Sequence, residues 1–286
     1  MTISILIAAY EAGNFLPAAL AGIADQSHLD WELVVVEDGS HDQTEELIRD
    51  FADQVSQKVR YENLGINRGV AAARNRLLEL AEGDAVAFLD ADDIWLPEHL
   101  SSVAKCLAEG HAIACTPVYL WDGDNQRPMG SYQPTSHQVS SPLKELYRIS
   151  FIWTSTCVAL SRETVDRVGY FDETLKIGED RDYWFRALEG GHTLGCTDEA
   201  TCRYTKHAGS SMTKTIRVAS DAVAFYRKHF NTPSLDKSFR KAVFAEALWI
   251  YGRLVRSTDK KLAKSLFFET VKNWPFNPRY WVYLFV

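Results

Sequence analysis

Along the first part of the chain, short continuous apolar runs alternate with stretches whose apolar positions recur at helical spacing. Ile3-Ser4-Ile5-Leu6-Ile7-Ala8, Leu33-Val34-Val35-Val36 and Ala85-Val86-Ala87-Phe88-Leu89 are too short for helices. Their continuity predicts strands covered on both faces, with residues 59–61 a shorter and more polar one. Between them, Phe15, Leu16, Ala19, Leu20 and Ile23 share one helical face, and so do Leu47, Ile48, Phe51 and Val55. Ser40 with Gln43 reads as a capping box for the second helix. Residues 70–80 read as a third helix stopped by Gly83, and Pro97 fits the first turn of a fourth. This alternation predicts an α/β fold built on a mostly parallel, doubly wound sheet flanked by helices. Such sheets bind ligands beyond the carboxyl ends of their strands, where Asp38 and Asp90 fall.

From about residue 112 the pattern loosens. Val118-Tyr119 and Gly130-Ser131-Tyr132 can flank a hairpin over Asp122-Gly123-Asp124-Asn125, residues 156–160 read as a strand, and residues 180–188 as a helix. Beyond residue 214 the candidates are all helical: 219–229, 239–254 and 260–272. A chain of 286 residues, 46% hydrophobic, can build one large domain with a smaller appendage. Its five cysteines form no CxxC pair and are odd in number, which argues against a disulfide scaffold or zinc module and for a reducing compartment. The start carries no signal pattern, and no apolar run approaches the roughly 20 residues of a membrane span. A soluble, cytoplasmic protein is expected, unless it rests on a membrane surface.

Charge sharpens the division. The net charge of −7 combines 17 Lys/Arg and 33 Asp/Glu in residues 1–213 with 14 Lys/Arg and 5 Asp/Glu in residues 214–286. An acidic body is a poor partner for nucleic acid. The basic tail ends in aromatics, Trp274-Pro275-Phe276 and Tyr280-Trp281-Val282-Tyr283-Leu284-Phe285-Val286. Two readings stay open: peripheral contact with an anionic membrane, or docking of the helices onto the domain or the second subunit of a homodimer.

The chemistry gathers in short polar motifs. Asp90-Ala91-Asp92-Asp93 follows a buried strand and offers hard oxygens suited to Mg²⁺ or Mn²⁺, ions that usually share their coordination with phosphates. Glu37-Asp38-Gly39-Ser40 is either a tight turn or a carboxylate aimed at a base or ribose. Asn67-Arg68-Gly69 and Ala71-Ala72-Ala73-Arg74-Asn75 place small residues and an arginine at a helix start, a phosphate-favouring arrangement or close helix–sheet packing. Gly178-Glu179-Asp180-Arg181-Asp182 puts carboxylates in a helix's first turn, as dipole partners or as a general base. His207 is a structural histidine or a ligand.

In this order, the motifs from Ser4-Ile5-Leu6-Ile7-Ala8-Ala9-Tyr10-Glu11 to His207 resemble the inverting family-2 glycosyltransferases of GT-A fold, over roughly residues 3–212. The resemblance implies a catalytic domain over residues 1–213, with a nucleotide-binding half (1–110) and an acceptor half (111–213), followed by the helical extension 214–286. It implies that Ala8, Tyr10, Glu11, Asp38, Asn67, Arg74, Asp90 and Ala91 border the nucleotide. Asp92 is then the principal metal ligand, supported by Asp90 and His207, with Mn²⁺ or Mg²⁺ as cofactor. Asp180 is the base, Glu179 supports it or the acceptor, and Asp93 is a loop or helix-entry carboxylate. The partners implied are a nucleotide sugar, UDP-linked by the fit of Asp38 to uracil, and a glycan or lipid-linked acceptor of the kind used in surface polysaccharide synthesis. The family usually carries Pro at the position of Ala8, Asn at Glu11 and Asp at Glu37. Two alternatives stand beside this reading: a sugar-nucleotide binding module without turnover, and a nucleotidyltransferase. The second lacks its basic glycine-rich loop here, since Ala9-Tyr10-Glu11-Ala12-Gly13-Asn14 has one glycine and no cation.

Overall fold

The computed structural model describes residues 1–207 and 215–284. The chain forms two compact units, Met1–Glu173 with Tyr183–Ala208, and Thr174–Asp182 with Gly209–Val286. The domain boundary expected at residues 213 and 214 lies outside the described residues.

The first unit opens with β1 (Ile3–Ala9), α1 (Leu16–Ala24), β2 (Trp31–Glu37), α2 (Thr44–Ala52), β3 (Val59–Asn63), α3 (Val70–Leu80) and β4 (Ala85–Phe88). There follow β5 (Ile94–Trp95), α4 (His99–Ala108), β6 (Ile113–Cys115), β7 (Val118–Asp122), β8 (Arg127–Tyr132), α5 (Ser136–Ser140) and α6 (Pro142–Arg148). A 3-10 turn at Ser155–Cys157 leads into β9 (Val158–Ser161), α7 (Arg162–Val168), α8 (Glu179–Glu189), β10 (Leu194–Cys196) and β11 (Cys202–Lys206). The main sheet has the order β10-β6-β9-β4-β1-β2-β3, parallel except for β9. β2 is buried at every position and β1 at all but one, as expected of strands between two helical layers. Polar β3 takes the edge, where its charged side chains can reach water. A second sheet, β5-β11-β7-β8, contains the expected hairpin.

Strands are added on one side from β1 to β3 and on the other at β4, which opens a crevice beyond the carboxyl ends of β1 and β4. Ala71, Ala72 and Ala73 are buried where α3 packs over β1 and β2. Local corrections follow from side chains committed elsewhere. α2 starts at Thr44 after Gln43 with no side-chain cap, because Ser40 donates to Glu37 and Gln43 Nε2 to the Gly13 carbonyl, 3.1 Å away. α3 ends at Ala81, in extended conformation, rather than at Gly83. Pro97 precedes the N-cap of α4, Glu98, by one residue.

The second unit contains the first turn of α8 together with α9 (Thr215–Lys228), α10 (Lys237–Val255), α11 (Lys260–Asn273), α12 (Pro278–Trp281) and a 3-10 turn at Val282–Leu284. α10 is central and packs on α9 and α11. At Gly252 a Cβ would come within 2.7 Å of the Phe267 ring, so the α10–α11 approach requires glycine there. Side chains of Asp236 and Asp259 cap α10 and α11. Trp249, Tyr280, Tyr283 and Phe267 pack on one another, so many of the tail's aromatics serve its own core. Among the described residues, no helix is long and apolar enough to cross a membrane.

Candidate active site

The loop leaving β4 is held by hydroxyl groups. Asp90 accepts hydrogen bonds from Arg74 Nη2 (2.8 Å), Thr154 Oγ1 (3.0 Å) and Ser155 Oγ (3.0 Å), while its own amide donates to Thr156 Oγ1 (3.0 Å). Arg74 is itself buried, beneath the Phe171 ring and bonded to Ser155. Its charge therefore meets Asp90 within the protein. Asp93 lies in this loop, as expected, but is buried, 1% exposed. It accepts from Thr156 Oγ1 (2.5 Å) and the Thr205 amide (2.8 Å), tying the loop to β11. Burial, and then the charges of Asp92 and Asp90, push its carboxyl well above the usual range.

Asp92 and Ala91 are half-buried. Asp92 Oδ2 lies 2.9 Å from His207 Nε2, and the His207 ring meets Phe15 at 4.8 Å. Burial and the charge of Asp90 raise the Asp92 carboxyl, against the hydrogen bond from His207. A carboxylate and an imidazole are suitable donors for Mn²⁺, and neighbouring ligands of an octahedral ion with bonds of about 2.1 Å sit roughly 3 Å apart. The Asp92–His207 separation fits that edge. Among the described residues no three His, Cys, Asp or Glu side chains gather around one ion, so further ligands would come from a diphosphate and water.

Asp38 follows β2 and is buried. Its two oxygens accept the amides of Arg68 (2.7 Å) and Gly69 (2.8 Å), fixing the entry to α3. Gly39, at φ +77°, passes so close to the Ile66–Asn67 backbone that a Cβ would collide. Asn67 is exposed there, as are Tyr10 and Glu11 beyond β1, while Ala8 is half-buried. Glu37 is buried and accepts from Tyr61, Ser40 and Asn63. That network holds the β2 and β3 ends together and gives the longer acid a packing role.

Asp180 and Glu179 belong to the second unit. Glu179 is buried and Asp180 half-buried, with Asp180 Oδ1 accepting from the Arg181 amide at 2.6 Å. The segment is anchored by its neighbours. Fully buried Asp182 meets Lys228 Nζ and His229 Nε2, each at 2.8 Å. The Arg181 guanidinium lies 4.2 Å from the Phe225 centroid and donates to Tyr226 Oη at 3.0 Å. The end of α9 thus fixes the turn carrying Asp180.

Thr154, Ser155, Thr156, Arg181, Asp182, Lys228 and His229 went unnoticed as supports in the sequence. Only Trp153-Thr154-Ser155-Thr156-Cys157, a hydroxyl run entering a strand, carried a readable signal.

The chain has relatives among known glycosyltransferases. The chain is 23% identical over 261 residues to TuaG of Bacillus subtilis, described as a teichuronic acid biosynthesis glycosyltransferase, covering 91% of this chain and 96% of that one. It is 34% identical over 98 residues to the Escherichia coli glucosyltransferase WfgD, covering 34% of this chain and 38% of that one. The structure of Staphylococcus aureus TarS 1–349 in complex with UDP-GlcNAc superposes with a TM-score of 0.72 at 20% identity, over 96% of this chain and 81% of that one. Mannosyltransferase PcManGT of Pyrobaculum calidifontis, in complex with GDP-Man and Mn²⁺, gives 0.66 at 18%, over 99% and 83%. These likenesses show the GT-A fold. Residues 4–169, more than half the chain, match glycosyl transferase family 2; the chain belongs to that family and is a transferase enzyme.

Proposed function

We propose that this family-2 glycosyltransferase moves a sugar from a UDP-sugar to a hydroxyl of a surface or lipid-linked glycan, with inversion at the anomeric carbon. The observation that carries the reading is the Asp92–His207 pair, 2.9 Å apart at the end of β4, beside an Asp90 already satisfied by Arg74 and hydroxyls. A Mn²⁺ or Mg²⁺ bound there supplies positive charge opposite the leaving diphosphate. Asp90 keeps Asp92 at the strand end, and the small side chain of Ala91 lets the nucleoside approach the backbone. Ala8, Tyr10, Glu11 and Asn67 border the base, with Asp38 shaping the loop beneath it and Arg74 holding the pocket floor. Asp180 takes the proton of the acceptor hydroxyl as that oxygen attacks C1 from the face opposite the diphosphate. Glu179 orients the acceptor or the base. The complexes of TarS with UDP-GlcNAc and UDP, and the UDP-Glc named for WfgD, support UDP.

The test is release of nucleotide from UDP-Glc, UDP-GlcNAc and GDP-Man, with Mn²⁺ and with EDTA, in the wild type, Asp92→Ala and Asp180→Asn. UDP-sugar turnover should need the metal and Asp92. Asp180→Asn should keep Mn²⁺-dependent UDP binding while transfer falls about 10²–10⁴-fold. Turnover that survives EDTA and both substitutions sinks the mechanism.

The second unit leaves Phe268, Phe276 and Trp281 exposed in a segment rich in Lys and Arg. That supports peripheral contact with the anionic cytoplasmic face of a membrane. Flotation with phosphatidylglycerol vesicles decides: protein that stays unbound at low salt ends the membrane reading, and a doubled mass by light scattering points to a homodimer instead.

A further inference from the structure

Phe151-Ile152-Trp153-Thr154-Ser155-Thr156-Cys157 is buried at every position but one, and the exception is its largest side chain, Trp153, 44% exposed. Two rings border the indole: Tyr132 at the end of β8, 5.0 Å away at 39°, and Tyr204 in β11, 6.3 Å away at 77°. Neither lies flat against it, and the indole N–H makes no hydrogen bond to a described residue. The aromatic group is fixed to the acidic loop from two directions. Thr154, next to Trp153, donates to Asp90, and the amide of Thr205, next to Tyr204, donates to Asp93.

The sheet order says which side of the loop this is. Asp38 follows β2, on the β1 side of β4, whereas Trp153 enters β9, the neighbour of β4 on the opposite side. Resting on the reading that the loop after β4 holds the donor diphosphate, we propose that Trp153, with Tyr132 and Tyr204 at its edges, is a stacking platform for a pyranose ring of the acceptor. The C–H face of a pyranose is apolar and weakly positive, and complements the negative face of an indole. Its equatorial hydroxyls need polar partners at the rim, and the indole N–H offers one. Through the contacts of Thr154 and Thr205 with the acidic loop, the platform adjoins the proposed donor site, as an acceptor site must.

Saturation-transfer NMR on the full chain with UDP and Mn²⁺ tests this, using methyl β-D-glucopyranoside, methyl N-acetyl-β-D-glucosaminide and methyl α-D-mannopyranoside as probes. At least one should show transfer to its ring C–H protons. The signal should weaken about tenfold in Trp153→Ala and Trp153→Leu and persist in Trp153→Phe, the size expected for one aromatic contact. UDP binding and the melting temperature should match the wild type in all three. Equal signals in the wild type and Trp153→Ala, full retention in Trp153→Leu, or no transfer to any probe overturns the platform. Loss of UDP binding in Trp153→Ala, or of folding in Ala and Leu alike, would make Trp153 part of the frame and overturns it too. If UDP fails to bind the wild type while a pyranoside still depends on Trp153, the donor reading falls and the platform stands.

Discussion

Two acidic tetrads, Asp90-Ala91-Asp92-Asp93 and Glu179-Asp180-Arg181-Asp182, each bury their last carboxylate, with Asp93 1% and Asp182 0% exposed. They do so by opposite means. Asp93 is satisfied by neutral donors, the Thr156 hydroxyl and the Thr205 amide. Asp182 is paired with Lys228 and His229. Neutral donors hold Asp93 in place, while elsewhere in the first tetrad the Arg74 guanidinium meets Asp90 and the Asp92 carboxylate turns to His207. At the second, the Lys228 ammonium and the His229 ring fix the Asp182 end of the turn that carries Asp180. One residue type is thus buried by two kinds of anchor.

The contrast predicts different costs when an anchor is lost. Asp182→Ala removes a fully buried carboxylate that holds both exposed Lys228 and buried His229, and losing two such contacts at once should cost about 3 kcal/mol. Denaturant unfolding should report that loss, with transfer falling further than UDP binding because the turn of Asp180 loosens. Thr156→Val removes a neutral donor to Asp93 and the acceptor of the Asp90 amide while the Thr205 amide remains, so the cost should be smaller, about 1–3 kcal/mol. If Thr156→Val proves the more damaging of the two, the distinction between neutral and charged anchoring fails.

These anchors explain why the sequence showed one part of the site and hid another. The residues proposed to face the ligand stand at the ends of β1, β2 and β4, whose continuous apolar runs are local signals, and α3 falls at the expected residues 70–80. The supports act across distance. Thr154 is 64 residues from Asp90, and His229 is 47 from Asp182; no periodicity links such pairs. Backbone donors leave no trace at all, so neither reading of Asp38, a tight turn or a ligand contact, included its capture of the Arg68 and Gly69 amides. Asp93 falls in a loop as expected, but its burial was not legible, because the Thr156 hydroxyl and Thr205 amide that hold it lie 63 and 112 residues away. Ser40 and Gln43 had the right spacing for a cap, yet Glu37 claimed the serine.

Acid sharpens the comparison further, because the first unit also buries His99. Its ring stacks on Trp95 at 4.3 Å, bonds Thr201 through Nδ1 at 2.9 Å, and is pushed down to about 3 by burial. Unfolded, the same ring titrates near 6.5. Between those values the unfolded chain binds a proton that the folded chain does not, so stability rises with pH there. Full above pH about 6.5, this contribution is lost as pH falls toward 3, by at most about 1.4 kcal/mol per pH unit. His99→Phe should flatten the dependence. An unchanged slope in that variant assigns acid sensitivity to another group.

The smallest effect concerns a side chain with no such anchor in a loop held further on, at Gly13. Glu11, exposed beyond β1, adopts φ +50°, a left-handed conformation that asparagine enters more readily than glutamate. Where hydroxyls and amides over-determine the loop after β4, no described hydrogen bond holds the Glu11 side chain in place. Relief of its backbone should therefore appear directly as stability. Glu11→Asn is expected to stabilise the fold by roughly 1 kcal/mol, seen as a higher melting temperature. It also removes a negative charge beside the proposed base pocket, so UDP should bind somewhat more tightly. Greater stability with unchanged UDP affinity would mean that the family's usual asparagine answers a backbone requirement alone, and that Glu11 does not face the nucleotide.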